Sequence, residues 1–153
     1  MMKSLVLALC VSIGLLPAAA SAQDMTNVPD VSMFKMMVDA NKSSGWVSFR
    51  EYDGRQLIYF TALVTSRCRI KEIRYSINSD ELSERFPLAP CIPDSPFSIP
   101  NDAGLEAIAI SLPSMTAKTA SVQVVFEDDF ETDIMKYRPC EGVGDSTCAK
   151  VAD

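Results

Sequence analysis

Beyond residue 45, apolar and polar positions alternate with a period of two through most of the chain. The runs 46–52 (WVSFREY), 56–65 (QLIYFTALVT), 69–77 (RIKEIRYSI), 105–112 (LEAIAISL), 121–126 (SVQVVF) and 130–137 (FETDIMKY) are rich in Val, Ile, Phe and Tyr and end in turn residues. Such runs predict short strands, half-buried on a pleated surface. Asp53-Gly54, set between two of them, predicts a two-residue hairpin turn. That turn pairs Tyr52 with Arg55, Phe49 with Ile58 and Val47 with Phe60, an apolar face suited to a core. Alternation of the pleat then assigns Trp46 opposite Thr61, Ser48 opposite Tyr59 and Arg50 opposite Leu57 to the reverse face.

A second hairpin is expected around Asp128-Asp129. A two-residue loop would set Phe126 against Glu131 and Val124 against Asp133, placing carboxylates on the core face. A three-residue loop, Glu127 to Asp129, instead pairs Phe126 with Phe130, Val124 with Thr132 and Val122 with Ile134. Burying an unpaired carboxylate costs several kcal/mol, so the second register is preferred, with a left-handed residue near Asp129.

Two segments depart from the two-fold pattern. Ser79 to Asp102 carries Pro87, Pro90, Pro93, Pro96 and Pro100, and proline lacks the donor a central strand needs. It reads as a surface excursion with room for a short edge strand. Met33 to Val38 fits a helical turn and a short strand equally, and no long helix is predicted. The pattern therefore predicts an all-β fold, a small antiparallel β-sandwich that resembles immunoglobulin-like domains in architecture, with a small closed barrel as the alternative. The expected divisions are a leader at 1–22, a lead segment at 23–45, the sandwich at 46–138 and a disulfide-stapled tail at 139–153.

Composition adds a compartment. Lys3, the apolar run Leu5 to Leu16, Pro17 and the small residues Ala20-Ser21-Ala22 follow the order of an N-terminal signal peptide, with cleavage expected before Gln23. The apolar run is shorter than the ~20 residues a membrane span needs, so no membrane insertion is expected of the mature form. Leu9 precedes Cys10 where a lipoprotein site needs a small residue. Removing the leader takes away Lys3 and turns the formal charge of −6 into −7. An acidic domain is a poor partner for nucleic acid, and the expected partner is a protein of the envelope or extracellular space. Cys68, Cys91, Cys140 and Cys148 remain, an even count that predicts disulfides in an exported domain, with Cys68–Cys91 and Cys140–Cys148 the expected pairing. The periplasm is the expected location, full secretion the alternative.

The candidate chemistry is sparse. The chain has no histidine, which removes Ser-His-Asp and Cys-His nucleophile systems, and with no C-x-x-C pair and long cysteine spacings it also argues against a zinc site. No cofactor is expected and no catalytic residue is singled out. Asp128, Asp129 and Glu131, with Glu127 and Asp133, are weak calcium candidates because they offer hard oxygens, though turns favour aspartate in any case. Met25, Met33, Met36 and Met37 offer thioethers to Cu(I), but methionines at this spacing more often fill a core face. The reverse face of the first hairpin, with Trp46, Arg50, Leu57 and Tyr59, is the candidate binding face, since aromatics with an arginine build interface centres. Its alternative is that another layer covers it. These features predict a non-catalytic exported interaction domain, with inhibition of a basic secreted enzyme as a variant. The alternative is a carbohydrate-binding or carboxylate-dependent hydrolytic domain with Trp46 and Tyr59 as a platform.

Overall fold

The computed structural model describes residues 24–153, so the leader at 1–22 and Cys10 lie outside the described residues. The fold is an all-β sandwich of two antiparallel sheets. One has the order β1-β2-β5, from β1 (Ser48–Tyr52), β2 (Arg55–Tyr59) and β5 (Ala109–Pro113). The other runs β4-β3-β6-β7-β8, from β3 (Ile70–Ile77), β4 (Glu84–Phe86), β6 (Ala120–Phe126), β7 (Met135–Arg138) and β8 (Lys150–Val151). Phe49 and Ile58 from the first sheet meet Ile73, Val122, Val124, Phe126 and Tyr137 from the second in one core.

The first hairpin has the register the turn predicts, with Tyr52 facing Arg55, Phe49 facing Ile58 and Ser48 facing Tyr59. Asp53 and Gly54 both have positive φ (52° and 71°), which matches the twist of the strands they join. The second strand ends sooner than the 56–65 run implies. Thr61–Val64 forms a single helical turn, α2, whose first carbonyl, on Phe60, accepts from the N–H groups of Leu63 and Val64. A strand would send Phe60 and Val64 to one face and Leu63 to the other. The turn buries all three.

The second hairpin follows its predicted register near the loop and then leaves it. Phe126 N–H donates to Phe130 O at 2.9 Å, Thr132 N–H donates to Val124 O at 3.0 Å, and Asp129 is left-handed at φ 63°. Further along, Val122 faces Met135 rather than Ile134, and Ala120 faces Tyr137. One extra residue is therefore taken up around Asp133-Ile134, opposite Gln123, as a bulge. The reason is the next pair. Without the slip, Ala120 would face Lys136 and carry its ammonium into the core. With it, Tyr137 is fully buried, Lys136 reaches Asp80 at the surface, and Ile134 is left exposed.

The lead segment is part of the domain. Val31–Asn41 forms a helix, α1, which corrects the expectation of no long helix. The Asp30 side chain accepts from the Ser32 N–H at 2.9 Å, and Phe34 and Val38, one turn apart, are buried. Phe34 stacks on Phe97 of the proline-rich excursion, ring centroids 5.1 Å apart. That excursion does carry a short edge strand, β4, and Cys68–Cys91 ties it to the turn before β3. Arg67, 4 % exposed, donates into it at Pro90 O (3.0 Å) and Ser98 O (2.6 Å). The expected strand at 105–112 begins instead with a 3₁₀ turn, Leu105–Ala107, before β5.

The last residues form a strap. Cys148 exchanges both backbone hydrogen bonds with Phe49 on the free edge of β1 (2.9 and 3.0 Å), while Lys150 and Val151 pair with β7. Cys140–Cys148 closes this segment on itself. One side of the sandwich is thereby bridged, and β4 and β5 remain as edges.

Candidate functional site

The expected binding face is not presented as such. Trp46 is 2 % exposed and Leu57 6 % exposed. The Trp46 indole lies against Tyr137, centroids 6.3 Å apart, and Nε1 donates to Val38 O at the end of α1 at 2.7 Å. The N-terminal segment is thus the layer that covers this end of the hairpin. Arg50 and Tyr59 are half-buried. The Arg50 guanidinium stands 4.4 Å from the centre of the Tyr52 ring, and its Nε donates to Asp145 O at 2.8 Å. The four residues do not form one exposed platform, because the strand twists into α2 at Phe60 and Trp46 turns inward.

The acidic hairpin is also taken apart. Asp128 pairs with Lys35 of α1, Asp129 with Lys71, Glu131 with Arg74 (2.8 Å) and Glu127 with Arg69 (2.8 Å). Each carboxylate is held by a cation from a different position, and the described residues contain no group of acidic, Cys or His side chains placed to share a metal ion. Met33, Met36 and Met37 lie on α1, the first two exposed.

What the fold does assemble is a cleft between α1 and the β6–β7 connection, about 300 Å³ in volume. Trp46 and Phe126 form its floor, and Met36, Phe130 and Met135 its apolar walls. Met36 is 67 % exposed and Phe130 51 % exposed, with Met33 and Ile134 exposed on the same two elements. Lys35 clamps the two walls together: its Nζ lies 4.6 Å from the Phe130 ring centre and also bonds Asp128. Lys42, paired with Asp39 at 2.7 Å, and the carboxylate of Asp133 stand at the other rim. The Tyr137 hydroxyl beneath donates to Lys42 O at 2.7 Å, and burial pushes its pKa up to about 12, so it is a fixed neutral donor.

Sequence reasoning placed Phe130 inside with Phe126, because the two are cross-strand partners. Only Phe126 is covered, since Phe130 sits one residue past the loop where no further strand lies over it. The bulge that exposes Ile134 has its signal in Lys136 and Tyr137, one polar and one aromatic residue whose facing decides the register.

The hydrogen bonds to carboxylates have a pH consequence. Lys35 holds the Asp128 carboxyl below the usual range, Lys136 does so for Asp80, and Arg74 for Glu72. Folded, these groups bind fewer protons than unfolded, so their contribution is complete above the ordinary carboxylate range and is lost as pH falls through the lower folded values. With no histidine in the chain, the urea midpoint should be flat from about pH 5.5 to 8 and fall below about pH 4. A sloping midpoint between those neutral values would contradict this account.

No protein-family model, no curated protein and no solved structure matches this chain.

Proposed function

We propose that this chain is an exported, non-catalytic interaction domain that seats apolar side chains of a partner protein in the cleft between α1 and the β6–β7 connection. In this reading residues 1–22 are the export signal, the compartment is the periplasm, and the sandwich is of immunoglobulin-like architecture. The two disulfides support an oxidising compartment. The observation that carries the reading is the meeting of exposed Met36 and Phe130 with Met135 in one cleft with a tryptophan floor, while Met33 and Ile134 are exposed on the flanking elements. Exposed apolar residues scattered singly are ordinary, whereas a group of them rimmed by charge marks an interaction site. Methionine walls adapt to the shape of what they receive.

The test uses the oxidised mature protein beside a Met36→Ser/Phe130→Ser double variant. Both side chains are exposed, so the variant should keep its unfolding free energy to within about 0.5 kcal/mol of the parent's. Any protein captured from an envelope extract is identified, purified and titrated against both. The expected outcome is at least a tenfold loss of affinity in the variant, about 1.4 kcal/mol. Equal affinity for parent and variant would place the interaction elsewhere and end this reading of the cleft.

A further inference from the structure

The chain carries more acidic than basic residues, 20 against 14, so a cation without a partner is unexpected. Among the described residues, Lys35, Lys42, Arg50, Arg69, Lys71, Arg74, Arg85 and Lys136 are ion-paired. Arg55 donates to Ser111 Oγ, and Arg67 donates to backbone carbonyls. The side chains of Lys118, Arg138 and Lys150 have neither kind of partner among the described residues, and all three are exposed.

Arg138 is the link between the other two. Arg138 and Lys150 are directly opposite on β7 and β8, which puts two like charges about 5 Å apart at Cβ, an arrangement that disfavours the strand pair. Lys118 and Arg138 line the same cleft, about 470 Å³ in volume, between the β5–β6 turn and the loop closed by Cys140–Cys148. Its apolar wall is Met115, Ala117, Pro139 and Val143. Two carboxylates border it. Glu51 is committed to Ser114 Oγ (2.8 Å) and the Met115 N–H (3.1 Å), and Glu141 sits on the disulfide loop.

The geometry points to a second binding site here, for an acidic peptide segment of a partner protein. A carboxylate laid in the cleft between Arg138 and Lys118 would match the planar fork of the arginine and offset its repulsion with Lys150, its strand partner. A peptide rather than a glycan follows from the lining, which contains no aromatic ring for a sugar to stack on. A carboxylate rather than a phosphate follows from Glu51 and Glu141, which repel a doubly charged group more than a singly charged one. The site is separate from the apolar cleft and does not depend on it.

The test is titration of a labelled oligoglutamate into the oxidised mature protein at low ionic strength, with oligogalacturonate and inorganic phosphate as parallel probes. Oligoglutamate should bind, the affinity should fall with added salt, and the Lys118→Gln/Arg138→Gln variant should lose at least tenfold. The Met36→Ser/Phe130→Ser variant should bind oligoglutamate as the parent does, so that failure of one site is separable from failure of the other. The inference is overturned by no binding at millimolar probe. It is equally overturned by unchanged affinity in the Lys118→Gln/Arg138→Gln variant, or by oligogalacturonate or phosphate binding as tightly as oligoglutamate.

Discussion

Trp46→Ala is expected to lower the unfolding free energy by about 3–5 kcal/mol, the range for removing a large buried aromatic side chain. The indole is 2 % exposed, and its ring fills the space between α1, Tyr137 and the start of β1. Its Nε1–H also satisfies Val38 O, one of the carbonyls near the end of α1 that lack a helical partner. Trp46→Phe separates the two contributions. It keeps most of the apolar contact and loses the hydrogen bond, so about 1 kcal/mol should go with the bond and the rest with packing. Trp46 is the chain's one tryptophan, so the unfolding must be followed by circular dichroism rather than by its own fluorescence. A loss below about 1 kcal/mol for Trp46→Ala would show that the ring is not packed as described. A practical point follows for binding work. A Trp46 variant that loses a ligand reports on the floor of the cleft and on α1 together, which is why the exposed pair Met36 and Phe130 is the better probe.

Arg67→Ala should also lower the unfolding free energy, by about 2–3 kcal/mol, through lost hydrogen bonds and packing. The guanidinium is 4 % exposed with no carboxylate beside it, and burial lowers its pKa. It is held by carbonyl dipoles at Pro90 and Ser98, and its Nη2 is buried without a partner. Removing it takes the donor from the part-buried carbonyls of Pro90 and Ser98 and from the buried Val64 O, and leaves a void beneath the proline-rich excursion. Arg67→Lys should rescue little, because one ammonium cannot span carbonyls that the arginine reaches with separate nitrogens. Amide hydrogen exchange over residues 87–99 should accelerate before that of β3 and β6. The Cys68–Cys91 bridge holds the same segment, so the loss on combining Arg67→Ala with removal of the bridge should differ from the sum of the single losses. An Arg67→Ala unfolding free energy within about 1 kcal/mol of the parent's would refute the role assigned to this residue.

The parts of the fold legible in the sequence were those governed by nearest-neighbour chemistry. Asp53-Gly54 fixed a turn, and the turn fixed every pair up to Ser48 and Tyr59. The three-residue loop at Glu127 to Asp129 was legible because only one register kept carboxylates out of the core. What escaped was decided at longer range. The bulge after Thr132 exists because Lys136 and Tyr137 must exchange faces, which depends on Ala120 at the far end of β6 from the loop. Met33 to Val38 was ambiguous until its partners were known, since Phe34 finds Phe97 and Val38 finds Trp46 only in the folded chain. The covering of Trp46 and Leu57 on the reverse face of the first hairpin was hidden for the same reason. That face's aromatic content was correctly read, but what lies over Trp46 is a helix that local pattern left undetermined. The apolar cleft was not legible at all, because its walls come from α1 and the β6–β7 connection.

The strap that joins β1 to β7 bears on the order of events during synthesis. The first hairpin is complete once residue 59 has been made, yet the groups on the free edge of β1 wait for Cys148 to arrive from the far end of the described chain. Contacts so distant in sequence form late. Until then the hairpin is a bare template for any other extended chain, including a nascent copy of itself. The edge of β1 at Phe49 is therefore covered only once Cys148 has docked, so a chain cut before residue 148 should expose it.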